Sequence, residues 1–359
     1  MEIPRTVGDI TPEWLTDALG SAGMCVPGRV TSVRSERIGN ELGFVSEIAQ
    51  ISVEYSTHSG NTPSTYVAKM APADGVVSEF AGRQGMYERE TRIYSDLGSD
   101  LGVETPELFY GDFDSTTNRF ILLMEDLSHL RAGDESVGCS VNEAEAAVRG
   151  AAHLHSRWWN SDLLRGFDWL DRPCDASRAR VRQKDYGEAW AKISDQLSDA
   201  LPPEVFVIGE ALGRNLAEVW TALESPALTL NHGDYRLANL LFDGKSLVTI
   251  DWQYAFHGPP AIDLADFLVW SLAEDQRRAH ESSLIDVYIG ELALRGVVGY
   301  SRDRASQDVR LGMLRNLENH VISIPNLAMS DEAGQAWVDT VSPRMIALAE
   351  WDCGALIPA

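Results

Sequence analysis

The segment that most constrains this chain runs from Leu230 to Trp252. It contains Leu-Asn-His-Gly-Asp-Tyr-Arg-Leu-Ala-Asn and, one apolar hairpin later, Ile-Asp-Trp. Asp234 and Asn239 are five residues apart, and Asp251 completes an acid–amide–acid order. Carboxylate and amide oxygens are ligands that Mg²⁺ prefers, and a positioned carboxylate can accept a proton from a hydroxyl. The segment therefore predicts a catalytic loop with oxygen ligands for a hard metal ion.

The order and spacing resemble the His-Arg-Asp-x-x-x-x-Asn catalytic loop of kinases. His-Gly-Asp in place of His-Arg-Asp, and Ile-Asp-Trp in place of Asp-Phe-Gly, resemble the aminoglycoside phosphotransferase and choline-kinase-like group. Within that group, Leu-Asn-His-Gly-Asp and Ile-Asp-Trp-Gln look most like the ecdysteroid-kinase-like branch. The resemblance implies an α+β, bilobal protein-kinase-like fold, with a small β-rich N-lobe and a larger, mainly helical C-lobe. It also implies ATP and Mg²⁺ as cofactors.

Residues 1–127 are predicted to form the N-lobe, with a nucleotide-binding sheet and a hinge. Thr11 and Pro12 favour a helix start, because threonine caps helix N-termini and proline suits the first helical position. Alternation of apolar and polar residues predicts five strands, with one helix between the third and the fourth. The strands are Arg29–Ile38, Val45–Tyr55, Ser64–Met70, Leu108–Gly111 and Arg119–Glu125, and the helix is Ser78–Leu97.

Residues 128–359 are predicted to form the C-lobe, with the catalytic loop and the substrate pocket. Helical periodicity dominates here, except for two short apolar strands that flank the catalytic loop. The predicted helices are Val141–Trp159, Pro203–Leu223, Ala261–Leu272, Gln276–Leu294, Arg304–Val321 and Glu332–Trp351, and the strands are Leu228–Leu230 and Leu247–Ile250. Pro343 is expected to interrupt the last helix, because proline lacks the N–H that a helix interior needs.

Lys69 ends the third predicted strand, in Val-Ala-Lys-Met, and resembles the kinase lysine that contacts the nucleotide phosphates. The helix that follows carries Glu88 and Glu90. Residues two apart point to different helix faces, so only one of these carboxylates can face the lysine. Glu90 is predicted as that partner, because Glu-Thr-Arg-Ile-Tyr resembles the Glu-x-x-x-Tyr segment of the family.

The remaining nucleotide contacts are implied by the resemblance. Gly43 and Ser46 lie in a loop with two glycines, where backbone N–H groups can approach phosphate. A plain hairpin turn is the alternative for that loop. Leu-Leu-Met-Glu-Asp-Leu resembles the hinge, where the carbonyl of Glu125 and the N–H of Leu127 would read adenine.

The resemblance assigns the chemistry to four residues of the catalytic block. Asp234 would accept or orient the proton of the attacking hydroxyl, and Asn239 and Asp251 would be Mg²⁺ ligands. Arg236 would offset charge on the transferring phosphoryl group, or it is an ordinary surface arginine.

Several nearby residues have structural interpretations. Asp263 is implied by the resemblance to brace the catalytic loop, and Asp266 is interpreted as a first-turn charge that the helix dipole favours. His155 shares a helix face with apolar residues and is predicted to pack in the core. Four tryptophans either pack in the core or line a substrate pocket: Trp158, Trp159, Trp169 and Trp190.

Composition narrows the partners. The chain has 359 residues and a net charge of −24, which argues against nucleic acids and anionic membranes as partners. The charge suits either a cationic drug or an acidic surface that serves solubility. No long apolar run or N-terminal signal segment is present, and the four cysteines are scattered, which together predict a cytoplasmic protein.

These features predict an ATP-dependent kinase that phosphorylates a hydroxyl of a small-molecule metabolite or natural product. Two alternatives stay open at this point. One is an aminoglycoside-type resistance kinase, and the other is a nucleotide-binding regulatory pseudokinase. The presence of Lys69, Asp234, Asn239 and Asp251 together argues against the pseudokinase.

Overall fold

The chain divides into two compact units in the computed structural model. Unit 1 contains Met1–Arg131 and Val248–Tyr254, and unit 2 contains Ala132–Leu247 and Ala255–Ala359. The structure describes residues 1–23, 28–38, 45–57, 62–73, 75–135, 137–172, 176–222, 227–244, 246–323, 341 and 343–358. The assignment of nucleotide binding to residues 1–127, and of catalysis and substrate binding to residues 128–359, stays a prediction.

Unit 1 is built on an antiparallel five-stranded sheet in the order β1-β2-β3-β5-β4. Its strands are β1 (Val30–Arg37), β2 (Glu47–Tyr55), β3 (Thr65–Met70), β4 (Leu108–Asp114) and β5 (Arg119–Glu125). Alternate residues of β2 and β3 face a core shared with Leu15 and Leu19 of helix α1 (Pro12–Ser21). The Thr11 hydroxyl accepts the Trp14 N–H at 3.2 Å, which confirms the predicted helix cap. The five predicted strands are confirmed.

The single helix predicted over Ser78–Leu97 is wrong in its continuity. Two helices occupy this stretch, α2 (Gly75–Arg83) and α3 (Met86–Arg92), and a π-helical turn follows over Ile93–Leu97. Gly85 separates the helices with φ of 66°, a left-handed conformation that glycine adopts at little cost and that ends a helix.

Unit 2 is mainly helical. Its helices are α4 (Val141–Arg157), α5 (Ala176–Ala200), α6 (Pro203–Ala222), α7 (Ile262–Trp270), α8 (Glu274–Leu294), α9 (Arg302–Ser323) and α10 (Ile346–Glu350). Its short strands are β7 (Thr229–Asn231), β8 (Leu240–Asp243) and β10 (Phe256–Gly258). Two further short strands, β6 (Arg131–Ala132) and β9 (Ser246–Thr249), contain residues of both units. Packing of α4 on α8, α5 on α6 and α7 on α9 buries one large core. The mixed fold, β-rich first and helical afterwards, is as predicted.

Helix α5 was not predicted, although a signal for it is present. Its 25 residues include many charged side chains, which hide the apolar positions. Ala179, Tyr186, Ala189 and Ile193 are buried and recur at helical spacing, so they mark one face of the helix. The helix predicted over Glu332–Trp351 lies largely outside the described residues. Its described end is a 3-10 turn at Pro343–Met345 followed by α10.

No helix in the described part of the chain is both long and apolar enough to cross a membrane.

Candidate active site

The predicted catalytic loop connects β7 to β8. Strand β7 pairs antiparallel with β10, with Asn231 opposite Phe256. A buried tyrosine in the loop, Tyr235, donates its hydroxyl to the Ala147 carbonyl at 2.7 Å. A 3-10 turn over Leu237–Asn239 ends the loop. Buried side chains such as Tyr235 therefore anchor the loop in the large core of unit 2. Its polar residues occupy defined positions.

Asp263, near the start of α7, fixes the first half of the loop. Its carboxylate accepts the N–H groups of His232 at 2.7 Å and Gly233 at 2.9 Å, and it lies 3.1 Å from His155 Nε2. The other ring nitrogen of His155 lies 2.6 Å from the Tyr288 hydroxyl. Although burial raises the pKa of Asp263, the hydrogen bonds and the nearby imidazoles lower it overall, so the group is a carboxylate. The predicted bracing contacts of Asp263 and core packing of His155 are confirmed.

Gly133 allows another close approach to this loop. Its N–H donates to the Leu240 carbonyl at 3.0 Å. A Cβ at this position would lie 2.3 Å from the Leu237 carbonyl oxygen, closer than real Cβ atoms come to backbone. A larger residue here would therefore displace the end of the catalytic loop.

Asp234 is held by two side chains of its own loop. Its Oδ1 accepts Arg236 Nε at 2.8 Å, and its Oδ2 accepts Asn239 Nδ2 at 2.9 Å. Arg236 also donates to Glu135 at 2.8 Å. The Asp234 carboxylate raises the pKa of Arg236, and Glu135 adds to this effect. Arg236 is therefore a contact of the proposed base. Its predicted role at the phosphoryl group stays a prediction.

Asn239 has the chemistry of a Mg²⁺ ligand. Its amide nitrogen donates both to the backbone carbonyl of Asp234, at 2.8 Å, and to the Asp234 carboxylate. Because the amide nitrogen of Asn239 makes both contacts to Asp234, the amide oxygen is not used in binding Asp234. Amide oxygens are ligands that hard divalent cations accept.

Lys69, in unit 1, is 4% exposed and lies between two carboxylates. Its Nζ donates to Glu90 at 2.7 Å and to Asp251 at 2.8 Å. Burial lowers the pKa of Lys69, but Asp251 and Glu90 more than offset this and raise it overall. Lys69 is therefore a fixed positive charge.

Glu90, and not Glu88, contacts the lysine. Glu90 is buried, whereas Glu88 is partly exposed and lies 3.6 Å from Arg92. The helix-face argument accounts for this difference, since the two side chains leave α3 in different directions. Burial raises the pKa of Glu90 to about 7, against the lowering effect of Lys69.

Asp251 follows β9 with φ of 67°, an uncommon left-handed conformation for a residue with a side chain. The buried Trp252 and the bond from Arg89 to the Gln253 carbonyl, at 2.6 Å, hold the chain on its C-terminal side. The Asp251 side chain is 28% exposed, and among the described residues its Oδ2 has only a long contact with Gln253, at 3.4 Å. One carboxylate oxygen is thus tied to Lys69, and the other suits a metal ion.

The other predicted nucleotide contacts are less defined. Gly43 lies outside the described residues. Ser46 is half-buried directly before β2, next to Val45, whose carbonyl accepts the Tyr87 hydroxyl at 2.7 Å. Glu125 ends β5, and Leu127 follows it half-buried. The roles of Ser46, Glu125 and Leu127 with nucleotide stay predictions.

Asp266 does not have the position that was predicted. It is 6% exposed and lies beyond the first turn of α7, so it is not a solvated first-turn charge. Burial, together with Asp263 and Asp234, raises its pKa well above the ordinary value. Asp266 is therefore a buried acid that holds its proton more tightly than an exposed aspartate does. The periodicity of α7, which is apolar on all sides, was the signal that the whole helix is buried.

The tryptophans pack largely as core residues. Trp190 stacks on Tyr186 with ring centroids 5.8 Å apart, and Trp158 is 2% exposed. Trp159 packs edge-on against Tyr300, and the half-buried Trp169 stacks on Phe167. Among them only Trp159 and Trp169 keep appreciable exposure, so the pocket-wall interpretation loses most of its basis.

Comparisons with known proteins agree with the resemblance that the sequence motifs indicate. The model of the ecdysteroid kinase-like family matches residues 179–295. No functionally curated protein matches the chain. The chain has the fold of a provisionally named aminoglycoside phosphotransferase from Ralstonia eutropha JMP134, with 17% identity, a TM-score of 0.61 and coverage of 97% of this chain and 99% of that one.

Two further solved structures share the fold. A choline/ethanolamine kinase family protein from Mesorhizobium loti is 16% identical, with a TM-score of 0.54 and coverage of 95% and 98% of the two chains. A choline kinase from Cryptosporidium parvum Iowa II is 14% identical, with a TM-score of 0.53 and coverage of 89% of each chain. The predicted resemblance is confirmed: the chain is similar to ecdysteroid kinase-like proteins over residues 179–295, and its fold is the protein-kinase-like fold of aminoglycoside phosphotransferases and choline kinases.

Proposed function

We propose that this protein transfers the γ-phosphoryl group of ATP to a hydroxyl of a small-molecule metabolite or natural product. The observation that carries the proposal is the buried Lys69, held by Glu90 at 2.7 Å and Asp251 at 2.8 Å. A fully buried cation with two carboxylates is costly to maintain, and hydrophobic residues would stabilise a fold as well. Contact with nucleotide phosphates would account for a buried lysine here, as in kinases in which a strand lysine pairs with a helix glutamate.

In unit 2, the proposed chemistry centres on Asp234. Asp234 orients the acceptor hydroxyl and accepts its proton as the hydroxyl oxygen bonds to the γ-phosphorus. The bond from that phosphorus to the bridging oxygen breaks, and ADP leaves. Arg236 and Asn239 fix the carboxylate from both sides, which pre-organises it for this step. Asn239 also offers its amide oxygen as a Mg²⁺ ligand.

In unit 1, the proposed task is to hold nucleotide phosphates. Lys69 contacts phosphate oxygens, Glu90 orients Lys69, and Asp251 offers a carboxylate oxygen to Mg²⁺. Mg²⁺, when bound, neutralises phosphate charge. Ser46 and Gly43 are proposed to donate to phosphate, and the backbone of Glu125 and Leu127 to bind adenine.

Asp251→Asn is expected to weaken nucleotide binding about tenfold or more when Mg²⁺ is present, because a negatively charged oxygen ligand is lost. Calorimetry with a non-hydrolysable ATP analogue, with Mg²⁺ and with a chelator, measures the effect. Asp243→Asn, an exposed carboxylate at the end of β8, is the control. Equal affinity of the Asp251 variant and the wild type in Mg²⁺ would exclude Asp251 as a ligand.

The acceptor class is tested by ADP release from Mg-ATP across hydroxylated metabolites, natural products and aminoglycosides. We expect that aminoglycosides are not the best acceptors, because the catalytic block resembles the ecdysteroid-kinase-like branch more than drug-modifying enzymes. Efficient, salt-sensitive phosphorylation of the drugs alone would instead support a resistance kinase. Nucleotide binding without ADP release for any acceptor would support a regulatory pseudokinase.

A further inference from the structure

Glu135, between β6 and α4, contacts the proposed base through an arginine. Its carboxylate accepts Arg236 Nη1 at 2.8 Å, and Arg236 Nε donates to Asp234 Oδ1 at the same distance. One guanidinium therefore bridges two carboxylates of unit 2. Because the guanidinium is planar and its N–H groups are fixed relative to one another, the contact with Glu135 restricts how Arg236 can rotate about its contact with Asp234.

The backbone around Glu135 is held on both sides. Before it, the Gly133 N–H donates to the Leu240 carbonyl at 3.0 Å, at the end of the catalytic loop. At Glu135 itself, the backbone carbonyl accepts Arg344 Nη2 at 3.1 Å, while Nη1 of the same arginine donates to the Trp270 carbonyl at 2.8 Å. The position of the Glu135 side chain relative to the catalytic loop is therefore fixed by contacts other than the ion pair.

The three side chains of the bridge are open to solvent. Glu135 is 20% exposed, Asp234 is 24% exposed and Arg236 is 35% exposed. Ion pairs that water can screen contribute little to stability. The bridge has a larger effect on geometry, because Asn239 holds the other Asp234 oxygen at 2.9 Å. The orientation of the Asp234 carboxylate therefore depends on Arg236 as well as on Asn239.

We propose that Glu135 is a positioning residue for phosphoryl transfer. It holds Arg236 against Asp234, so that the Asp234 carboxylate keeps the orientation in which it meets the acceptor hydroxyl. This inference rests on the proposed phosphotransferase function. Because Glu135 acts through Arg236 and contacts neither substrate, its loss should affect the chemical step and leave substrate binding almost unchanged.

The test uses four variants and a matched control. The variants are Glu135→Gln, Glu135→Asp, Arg236→Met and the double variant Glu135→Gln/Arg236→Met. The control is Glu145→Gln, at a partly exposed glutamate of α4 that also pairs with an arginine, Arg149, at 3.6 Å. Steady-state kinetics gives kcat and KM for the best acceptor. Calorimetry gives the affinity for an ATP analogue, and melting temperatures report folding.

We expect Glu135→Gln to lower kcat about 10- to 100-fold, because a small displacement of a positioned reacting group has effects of this size. The KM of the acceptor, the nucleotide affinity and the melting temperature should change little. Glu135→Asp keeps the charge and should recover part of kcat. The double variant should be no slower than Arg236→Met alone, since an effect transmitted by Arg236 disappears with it. Glu145→Gln should behave as wild type.

Three results would overturn the inference. One is a normal kcat in Glu135→Gln. Another is a loss confined to the KM of the acceptor, which would make Glu135 a substrate contact. The third is a double variant slower than Arg236→Met by the full Glu135→Gln factor, since Glu135 would then act independently of Arg236. If Glu135→Gln does not fold, Glu135→Asp, alone and combined with Arg236→Met, is measured in its place.

A chemical measurement separates this inference from the proposed function. Phenylglyoxal modifies accessible arginines, and mass spectrometry measures the modification rate at each site without any substrate. Arg236 should react faster in Glu135→Gln than in the wild type, whereas Arg302, an exposed arginine that pairs with Asp286, should not change. If no acceptor releases ADP, the phosphotransferase proposal fails, and this rate still decides whether Glu135 holds Arg236. Equal rates at Arg236 in both proteins would reject that contact.

Discussion

Replacement of Asp234 by alanine is expected to lower kcat by about 10²- to 10⁴-fold, the range that a positioned general base contributes. Nucleotide affinity should change little, because the buried contacts of Lys69 lie in unit 1 and do not involve Asp234. The loop should remain ordered, since Asp263 still accepts the His232 and Gly233 N–H groups. Steady-state kinetics with the best acceptor, together with calorimetry for the nucleotide, measures both effects.

The matched control for this substitution is Asp243→Ala, because Asp243 is an exposed aspartate at the end of β8. Asp234→Asn adds a second test, since it keeps the shape of the side chain and removes its basicity. A folded Asp234→Ala protein with nearly normal kcat would show that the proton is accepted elsewhere.

Lys69→Met is expected to abolish measurable activity and to destabilise the protein. The substitution leaves the buried Glu90 and the partly exposed Asp251 without their shared cation, and breaking a buried ion pair such as Lys69–Glu90 costs about 3–5 kcal/mol. The loss should depend on pH. Burial already raises the pKa of Glu90 to about 7, and removal of Lys69 raises it further.

The direction of this pH dependence follows from proton binding. The folded variant holds a proton on Glu90 at pH values where the unfolded chain, with an ordinary carboxyl pKa of about 4.3, has released it. Stability contributed by protonated Glu90 is therefore fully present below about pH 4.3 and is lost as pH rises through the raised folded pKa. Melting temperatures between pH 5 and pH 9 should fall more steeply for Lys69→Met than for the wild type.

Two variants make this result specific. Lys69→Met combined with Glu90→Gln should recover part of the melting temperature at high pH, because the uncompensated carboxylate is gone. Lys184→Met, at a lysine that is 75% exposed, should have almost no effect. A pH profile of Lys69→Met parallel to that of the wild type would mean that Glu90 does not depend on Lys69 for its charge.

Local sequence patterns were sufficient to predict the strands and helix starts that depend mainly on neighbouring residues. The strands of unit 1 alternate in burial, and Thr11 and Pro12 mark a helix start, so pattern and structure agree. The choice of Glu90 over Glu88 needed only the family spacing and helix geometry. By contrast, α5 was overlooked because its many charged residues hide the apolar positions that it buries, such as Ala179 and Tyr186.

Other features depend on long-range contacts that no local pattern contains. The break at Gly85 depends on a backbone conformation, since isolated glycines also occur inside helices. The guanidinium carbon of Arg315 lies 4.3 Å from the centroid of the Phe256 ring, 59 positions earlier in the chain. The burial of Asp266 and its raised pKa arise because α7 packs on α9. Such properties arise from tertiary packing, which overrides local preference.

The anchoring of the catalytic loop on Asp263 has a consequence for the order of folding. The loop amides are fixed by a carboxylate about 30 residues later in the chain, and that carboxylate contacts His155, 108 residues away from it. Contacts between residues so far apart in sequence have a larger entropic cost of loop closure than local contacts. Such contacts are expected to form after local helices. We therefore expect the proposed catalytic loop to reach its final conformation late during folding, after the helices that surround it have docked.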